Sequence, residues 1–152
     1  MKAVIQRVKR ASVTVDGKIT GSCGQGLAIL LGVAKGDEKT DADLLAAKIS
    51  KLRIFSDENG KMNLSVNDVK GDVTVVSQFT LLADYSHGNR PDYFGAAEPE
   101  TANALYEYFK STLGTLISGK VSSGVFGADM VYEIINDGPV TIVMDSEKLK
   151  KK

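Results

Sequence analysis

Residues 26 to 34, Gly-Leu-Ala-Ile-Leu-Leu-Gly-Val-Ala, form a near-continuous apolar run with no polar alternation. A strand with one wet face alternates apolar and polar residues, whereas an unbroken run of this length suits a strand covered on both faces. The chain must therefore build a sheet with material on each side of it. The same run, from Leu27 to Val33, is the longest apolar stretch and is too short to cross a bilayer. The start Met1-Lys2-Ala3-Val4 lacks a signal-peptide layout. A soluble cytoplasmic protein with no membrane partner is the expectation.

The flanking sequence divides into strand and helix signals. Ala3 to Lys9 and Ser12 to Val15 are rich in β-branched residues, and Asp16-Gly17 before Lys18-Ile19-Thr20 is a two-residue hairpin signal. Thr40-Asp41-Ala42-Asp43 offers a helix start, with Leu45, Ile49 and Leu52 at helical spacing behind it. Asn59-Gly60 marks a small second hairpin between Arg53-Ile54-Phe55 and Met62-Asn63-Leu64. Asp72 to Gln78 reads as a strand, and Phe79 to Glu98 as a long loop of the sort that tends to carry function. Pro99 opens a second helix with Ala102, Leu105, Phe109, Leu113 and Leu116 as its stripe, ending near Ser118-Gly119. Lys120 to Val125, Met130 to Ile135 and Val140 to Asp145 read as three strands, the last two joined by Asn136-Asp137-Gly138-Pro139. Strands grouped rather than alternating with helices predict an α+β fold, mostly antiparallel sheets packed with two helices.

At 152 residues with 43% hydrophobic residues, the chain fits one compact domain, taken as residues 1–146, with a basic end at 147–152 expected to be frayed or disordered. Cys23 is the only cysteine and His87 the only histidine, which excludes a disulfide framework and a zinc site of the Cys/His kind. Only carboxylate-based ions stay open on this count, and the expectation is of no metal and no cofactor. Lys+Arg and Asp+Glu balance at 19 each, arguing against a broad polyanion-binding surface and leaving only local nucleic-acid contacts.

Most chemistry-bearing patterns fall away on inspection. Gly21-Ser22-Cys23-Gly24-Gln25-Gly26 fits neither phosphate-loop spacing and precedes a strand, so it reads as a tight turn. Cys23 and His87 have nothing that places them together, and there is no G-x-S-x-G elbow. Two segments remain. Ser77-Gln78-Phe79-Thr80-Leu81 turns polar where an apolar strand meets the long loop, and taken alone Ser77 and Thr80 satisfy strand-end backbone groups. Asn136-Asp137-Gly138-Pro139-Val140-Thr141 is either a plain turn or a cis Gly-Pro unit.

Together these segments resemble the signature pair of the D-aminoacyl-tRNA deacylases, also called D-tyrosyl-tRNA deacylases. The opening Met1 to Val8, Gly88-Asn89-Arg90-Pro91 and Phe126-Gly127-Ala128-Asp129-Met130 resemble family blocks in the same order, over roughly residues 1 to 145. One departure is local: family members often place a basic residue just before the loop glycine and an aromatic two positions after the loop proline, and here His87 and the pair Tyr93-Phe94 occupy that neighbourhood. The resemblance implies hydrolysis of the ester between a D-amino acid, or glycine, and the terminal ribose of tRNA, without cofactor. It implies a homodimer in which Gly138 and Pro139 of one chain enter the other's site, their carbonyls holding the substrate ammonium while stiff backbone excludes an L side chain. Arg7 then orients this motif, and Asn136 and Met130 join the substrate-binding set. Ser77, Gln78, Phe79 and Thr80 form the catalytic segment, with backbone N–H groups around Phe79 and Thr80 as oxyanion donors and the ribose 2′-hydroxyl assisting a water. Thr80 as a covalent nucleophile is the rival, and it lacks an evident base. Phe79 is either a platform for the terminal adenine or a core residue.

Overall fold

The computed structural model describes residues 1–150. Its organiser is β1 (Lys2–Val15), one unbroken strand where two β-branched runs are read from the sequence. Asp16 and Gly17, with φ of 50° and 75°, make the two-residue turn into β2 (Lys18–Cys23). β3 (Gly26–Gly32) then pairs antiparallel with the first half of β1, from Lys2↔Gly32 to Val8↔Gly26. Helix α1 (Lys39–Ser50) is capped at Glu38, two residues before the Thr40 expected for that role, and the Glu38 N–H donates to the Asp41 carboxylate at 2.8 Å. A small hairpin of β4 (Phe55–Ser56) and β5 (Met62–Leu64) follows, its turn allowed by Gly60 at φ 76°. β6 (Asp72–Ser77), α2 (Pro99–Leu116), β7 (Val121–Ser123), β8 (Val131–Asp145) and α3 (Ser146–Lys150) complete the chain. No helix among the described residues is long and apolar enough to cross a membrane.

The class is α+β as expected, but the sheet is mixed rather than mostly antiparallel. β3 and β6 run parallel, and so do β6 and β7. Parallel neighbours need a long crossover, and the order β3–α1–β6–α2–β7 supplies two, each carrying a helix. The alternation is present in the sequence; treating the strands as one group overlooked it. The sheet runs β2-β1-β3-β6-β7, with β8 on the other edge of β1, and it curls almost shut into a barrel-like form. Its outer members meet through side chains: Ser22 N–H donates to Ser122 Oγ at 3.1 Å, and Ser122 Oγ–H donates to Ser22 O at 3.0 Å.

A third helix also corrects the expectation of two. α3 lies where a frayed basic end is read from the sequence, because Ser146 and Lys150 both bond Asp41 of α1, at 2.6 and 2.8 Å, and the Met1 ammonium donates to Ser146 Oγ at 2.8 Å. Residues 151 and 152 of that end lie outside the described residues. β8 is likewise one strand rather than two, with Gly138 and Pro139 inside it.

The two sheet faces are filled differently. Leu45 and Ile49 of α1 and Phe109 and Leu113 of α2 pack with Ile5, Ile29, Leu31, Val73 and Val75, all fully buried. Each such side chain contributes about 1.5–3 kcal/mol by leaving water, so this layer carries most of the stability. A smaller cluster holds Val8, Ala11, Cys23 and Ala28, with half-buried Tyr132 and Ile134 against it. That second face is incompletely filled, and the site opens beside it.

Candidate active site

Where β3 and β6 end side by side, a cavity of about 820 Å³ opens, lined by Leu30 and Val33 from the β3 side, Val76 to Phe79 from the β6 side, the loop at Tyr93-Phe94, and Phe126, Met130 and Tyr132. Ligand sites favour the carboxyl ends of parallel strands, where loops diverge and backbone groups lose their ladder partners. The Gln78 N–H still reaches back to Leu31 O at 2.8 Å, which holds the strand end in register. Phe79 to Leu82 then turn as a short 3₁₀ helix, with Leu81 N–H on Gln78 O and Ala83 N–H on Thr80 O, both at 3.2 Å. Among the described residues the N–H groups of Phe79 and Thr80 have no acceptor, as expected for the opening of a helical turn. Two adjacent backbone donors are thus free, Phe79's in the cavity lining and Thr80's just beyond it.

Side chains at this end are arranged simply. Phe79 is 56% exposed, with Tyr93 set edge-on against it at 5.0 Å between ring centroids and 77° between planes. The Gln78 amide donates to Thr80 Oγ1, and no acid, histidine or lysine side chain bonds that hydroxyl among the described residues. Cys23 is buried, its thiol pushed up by burial, while His87 is on an exposed loop; the structure does not bring them together. The Tyr132 and Thr74 hydroxyls share a hydrogen bond at 2.6 Å, and the Tyr132 hydroxyl lies 3.2 Å from the Thr74 carbonyl oxygen, to which it donates.

Asn136, Gly138, Pro139 and Arg7 form a separate cluster that does not line this cavity. Gln6 faces Thr141 and Val8 faces Asn136, so Asp137 to Val140 bulge out opposite Arg7 alone. The Arg7 guanidinium holds the bulge from below: Nε donates to Asp137 O at 2.9 Å and Nη1 to Ile54 O at 2.7 Å. Asn136 clips the other side, accepting from Val140 N–H at 2.8 Å and donating to Thr141 Oγ1 at 3.0 Å. Gly138-Pro139 is cis and both residues are exposed. Gly138 has φ 138°, and a Cβ there would stand 2.8 Å from Arg7 Nη2, so a side chain is excluded by both conformation and space.

The structure therefore gathers Ser77, Gln78, Phe79 and Met130 at one cavity, places Thr80 just beyond its lining, and sets Arg7, Asn136, Gly138 and Pro139 elsewhere in the same chain. Sequence reading missed Tyr132, Phe126, Lys35 and Phe94 as lining. The period-2 spacing of Met130, Tyr132 and Ile134, all lining, is the signal that could have found the first of these.

Fold and cavity together define an α+β protein with a binding pocket at the ends of parallel strands. The family model for D-Tyr-tRNA(Tyr) deacylase matches residues 4–145. A D-aminoacyl-tRNA deacylase of Dictyoglomus turgidum is 56% identical over 151 residues, 99% of this chain and 96% of that one. One from Anaeromyxobacter dehalogenans is 57% identical over 151 residues, 98% and 99% of the two chains. A solved structure of a c-Myc DNA Unwinding Element Binding Protein superposes with a TM-score of 0.90 at 41% identity, over 95% of this chain and 98% of that one. A probable eukaryotic D-amino acid tRNA deacylase shares the fold at 15% identity, with a TM-score of 0.78 over 95% and 98% of the two chains. The chain belongs to the D-Tyr-tRNA(Tyr) deacylase family, and is a hydrolase of the ester bond in aminoacyl-tRNA.

Proposed function

We propose that the cavity hydrolyses D-aminoacyl-tRNA, and glycyl-tRNA with it, in the cytoplasm as a proofreading step, with chirality read by main chain lent from a second copy. The observation that carries this reading is the pair of adjacent free N–H groups at Phe79, in the cavity lining, and Thr80, just beyond it. When water adds to the ester carbonyl, negative charge develops on its oxygen, and preorganised donors stabilise that charge more than the neutral ground state. The new C–O bond then persists while the bond to the ribose 3′-oxygen breaks. The departing oxygen takes up a proton, and the neighbouring 2′-hydroxyl is placed to relay it. An ester is activated enough that positioning and charge stabilisation suffice. Thr80 serves through its backbone; its hydroxyl accepts from Gln78 and touches no base that could activate it.

The filter is supported by where its parts stand. Gly138 and Pro139 are exposed, gripped through Asp137 by Arg7, and outside the lining of their own chain's cavity. An isologous pair puts such a bulge into the partner's cavity twice over. Carbonyl oxygens there accept from the substrate ammonium, and the backbone leaves no volume for an L side chain. Glycine, lacking a side chain, passes.

Thr80→Pro and Thr80→Ala separate backbone from hydroxyl. Proline removes the Thr80 N–H, which has no acceptor to lose, near the opening of a helical turn where proline is tolerated. Deacylation of D-tyrosyl-tRNA is expected to fall about 10²–10³-fold for Thr80→Pro and to keep a substantial fraction for Thr80→Ala. Equal loss in both sinks the backbone reading. Full-rate cleavage of a substrate ending in 2′-deoxyadenosine removes the ribose from the mechanism, and loss of D- and L-tyrosyl esters at equal rates removes the filter.

A further inference from the structure

The cavity carries an aromatic face that the terminal nucleoside does not account for. Phe94 lines it and is 77% exposed, and its ring stacks on no other aromatic among the described residues. Phe79, whose 56% exposure suits the base-platform alternative over the core one, is a separate ring braced by Tyr93. An exposed phenylalanine on a slack loop would mean little. This loop is tied at both ends: Asp84 and Asp92 exchange two backbone bonds at 2.9 Å each, Phe94 N–H donates to Asp92 Oδ1 at 3.2 Å, and Lys35 N–H donates to Gly95 O at 2.9 Å. Ala97 N–H to Val33 O, at 3.0 Å, fastens the exit. The ring is thus held in place before any ligand arrives, which spares the ordering cost on binding.

Charge around the ring selects the ligand. Lys35 lines the cavity, lies one backbone bond from the residue after Phe94, and forms no ion pair among the described residues. Glu98 and Asp129 also line the cavity, with the opposite sign. A wholly anionic ligand does not match this set, and a wholly cationic one does not either. A ligand with an ammonium at one end and a phosphate at the other does, and an aminoacyl ester at the end of an RNA strand has that form.

We propose that Phe94 is a second stacking platform, taking the unpaired base next to the terminal one, with Lys35 receiving the phosphate between the two nucleotides. The assignment rests on the aminoacyl-tRNA reading of the cavity. It makes Phe94 a binding residue for the RNA rather than for the amino acid, so its effect depends on a nucleotide the ester chemistry never touches.

The test compares D-tyrosyl-tRNA, the same tRNA made abasic at the penultimate position, and 3′-O-D-tyrosyl-adenosine. Phe94→Ala is expected to lower kcat/KM on the intact tRNA about tenfold through KM, and to leave the adenosine ester unchanged. Phe94→Trp restores the loss. The abasic tRNA costs the unaltered enzyme the same factor and costs Phe94→Ala nothing further, and Lys35→Gln lowers the salt dependence by about one phosphate contact. Equal loss on the adenosine ester, no loss on tRNA, or a change of oligomeric state in sedimentation overturns the assignment; the last means that the ring faces a second copy. Turnover of both intact substrates by the unaltered enzyme is the control on the parent reading. Its absence removes both ideas, whereas the preceding results remove only the role of Phe94.

Discussion

The strand end at Ser77–Thr80 and the bulge at Asp137–Val140 are both places where a ladder stops, yet they stop in opposite ways. At the end of β6 the backbone is left with donors free and a cavity beside them. In β8 the backbone leaves its ladder and is tied down again at once, by Arg7 from one side and Asn136 from the other. The first region waits for something to bind. The second is hydrogen-bonded, exposed and outside the lining of its own chain's cavity, which is what the proposed loan to a second copy requires. In the proposed filter, a gauge of handedness has to be stiffer than the difference it measures, a demand that a hydrogen-bonded bulge with no side chain at Gly138 meets better than a flexible pocket.

The sharpest way to break this contrast is complementation. Thr80→Pro damages the cavity wall. Gly138→Val damages the bulge, because φ 138° is hostile to an L residue and the new Cβ meets Arg7 Nη2 at 2.8 Å and Val140 Cγ2 at 3.0 Å. Each variant alone is expected to lose at least about a hundredfold in D-tyrosyl-tRNA deacylation. Co-expressed, random pairing makes half the dimers mixed, and each mixed dimer carries one site with both parts intact, so about a quarter of the original activity returns. Recovery no greater than the sum of the two variants places bulge and cavity in the same chain's site and ends the idea of a lent motif.

How much of this was legible beforehand differs between the same two regions. Local signals worked where local physics decides: Asp16-Gly17 as a two-residue hairpin turn, the residues 26–34 run as a buried strand over Gly26–Gly32, and Ser77 as the point where the apolar strand gives way to a polar loop. Pairing was not legible in the same way. Whether β6 lies parallel to β3 depends on how an intervening helix returns the chain, not on the strands' own residues. The third helix depends on Ser146 meeting Asp41, 105 positions away, and a run of lysines at a chain end gives no hint of that. The bulge hid inside one strand because Gly-Pro reads as a terminator, while the long antiparallel partner β1 carries β8 straight past it.

A milder substitution sharpens the account of the bulge. The Arg7 fork spans two carbonyls, Asp137 O and Ile54 O, belonging to segments far apart in sequence. Lysine keeps the charge but has a single ammonium in place of the planar fork. Arg7→Lys is expected to fold, to lose one charge-assisted bond, and to drop kcat/KM on D-tyrosyl-tRNA about tenfold. Discrimination against L-tyrosyl-tRNA should weaken with it. Unchanged rate and selectivity would show that the bulge holds its shape without Arg7, leaving Asn136 as the clip that matters.

The smallest effect on selectivity is expected from a network that touches neither region. Burial works against the Asp41 carboxylate, but hydrogen bonds from Lys150, Ser146 and the Glu38 N–H outweigh it and hold the pKa down to about 2, below the ordinary 3.8. Because the folded value lies below the unfolded one, the ionised carboxylate favours the fold. That contribution, on the order of 2 kcal/mol, is fully present above pH ~4 and is lost as pH falls towards about 2. Asp41→Asn should therefore destabilise the protein in urea titrations at pH 7 and progressively less between pH 4 and pH 2, with the ratio of D- to L-tyrosyl-tRNA turnover untouched at neutral pH. A penalty that stays constant across that acid range would mean that shape rather than charge at Asp41 fastens α3. A changed D-to-L ratio would mean that the far end of β8 is mechanically coupled to the bulge within it, and the two regions compared above would no longer be independent of the rest of the strand.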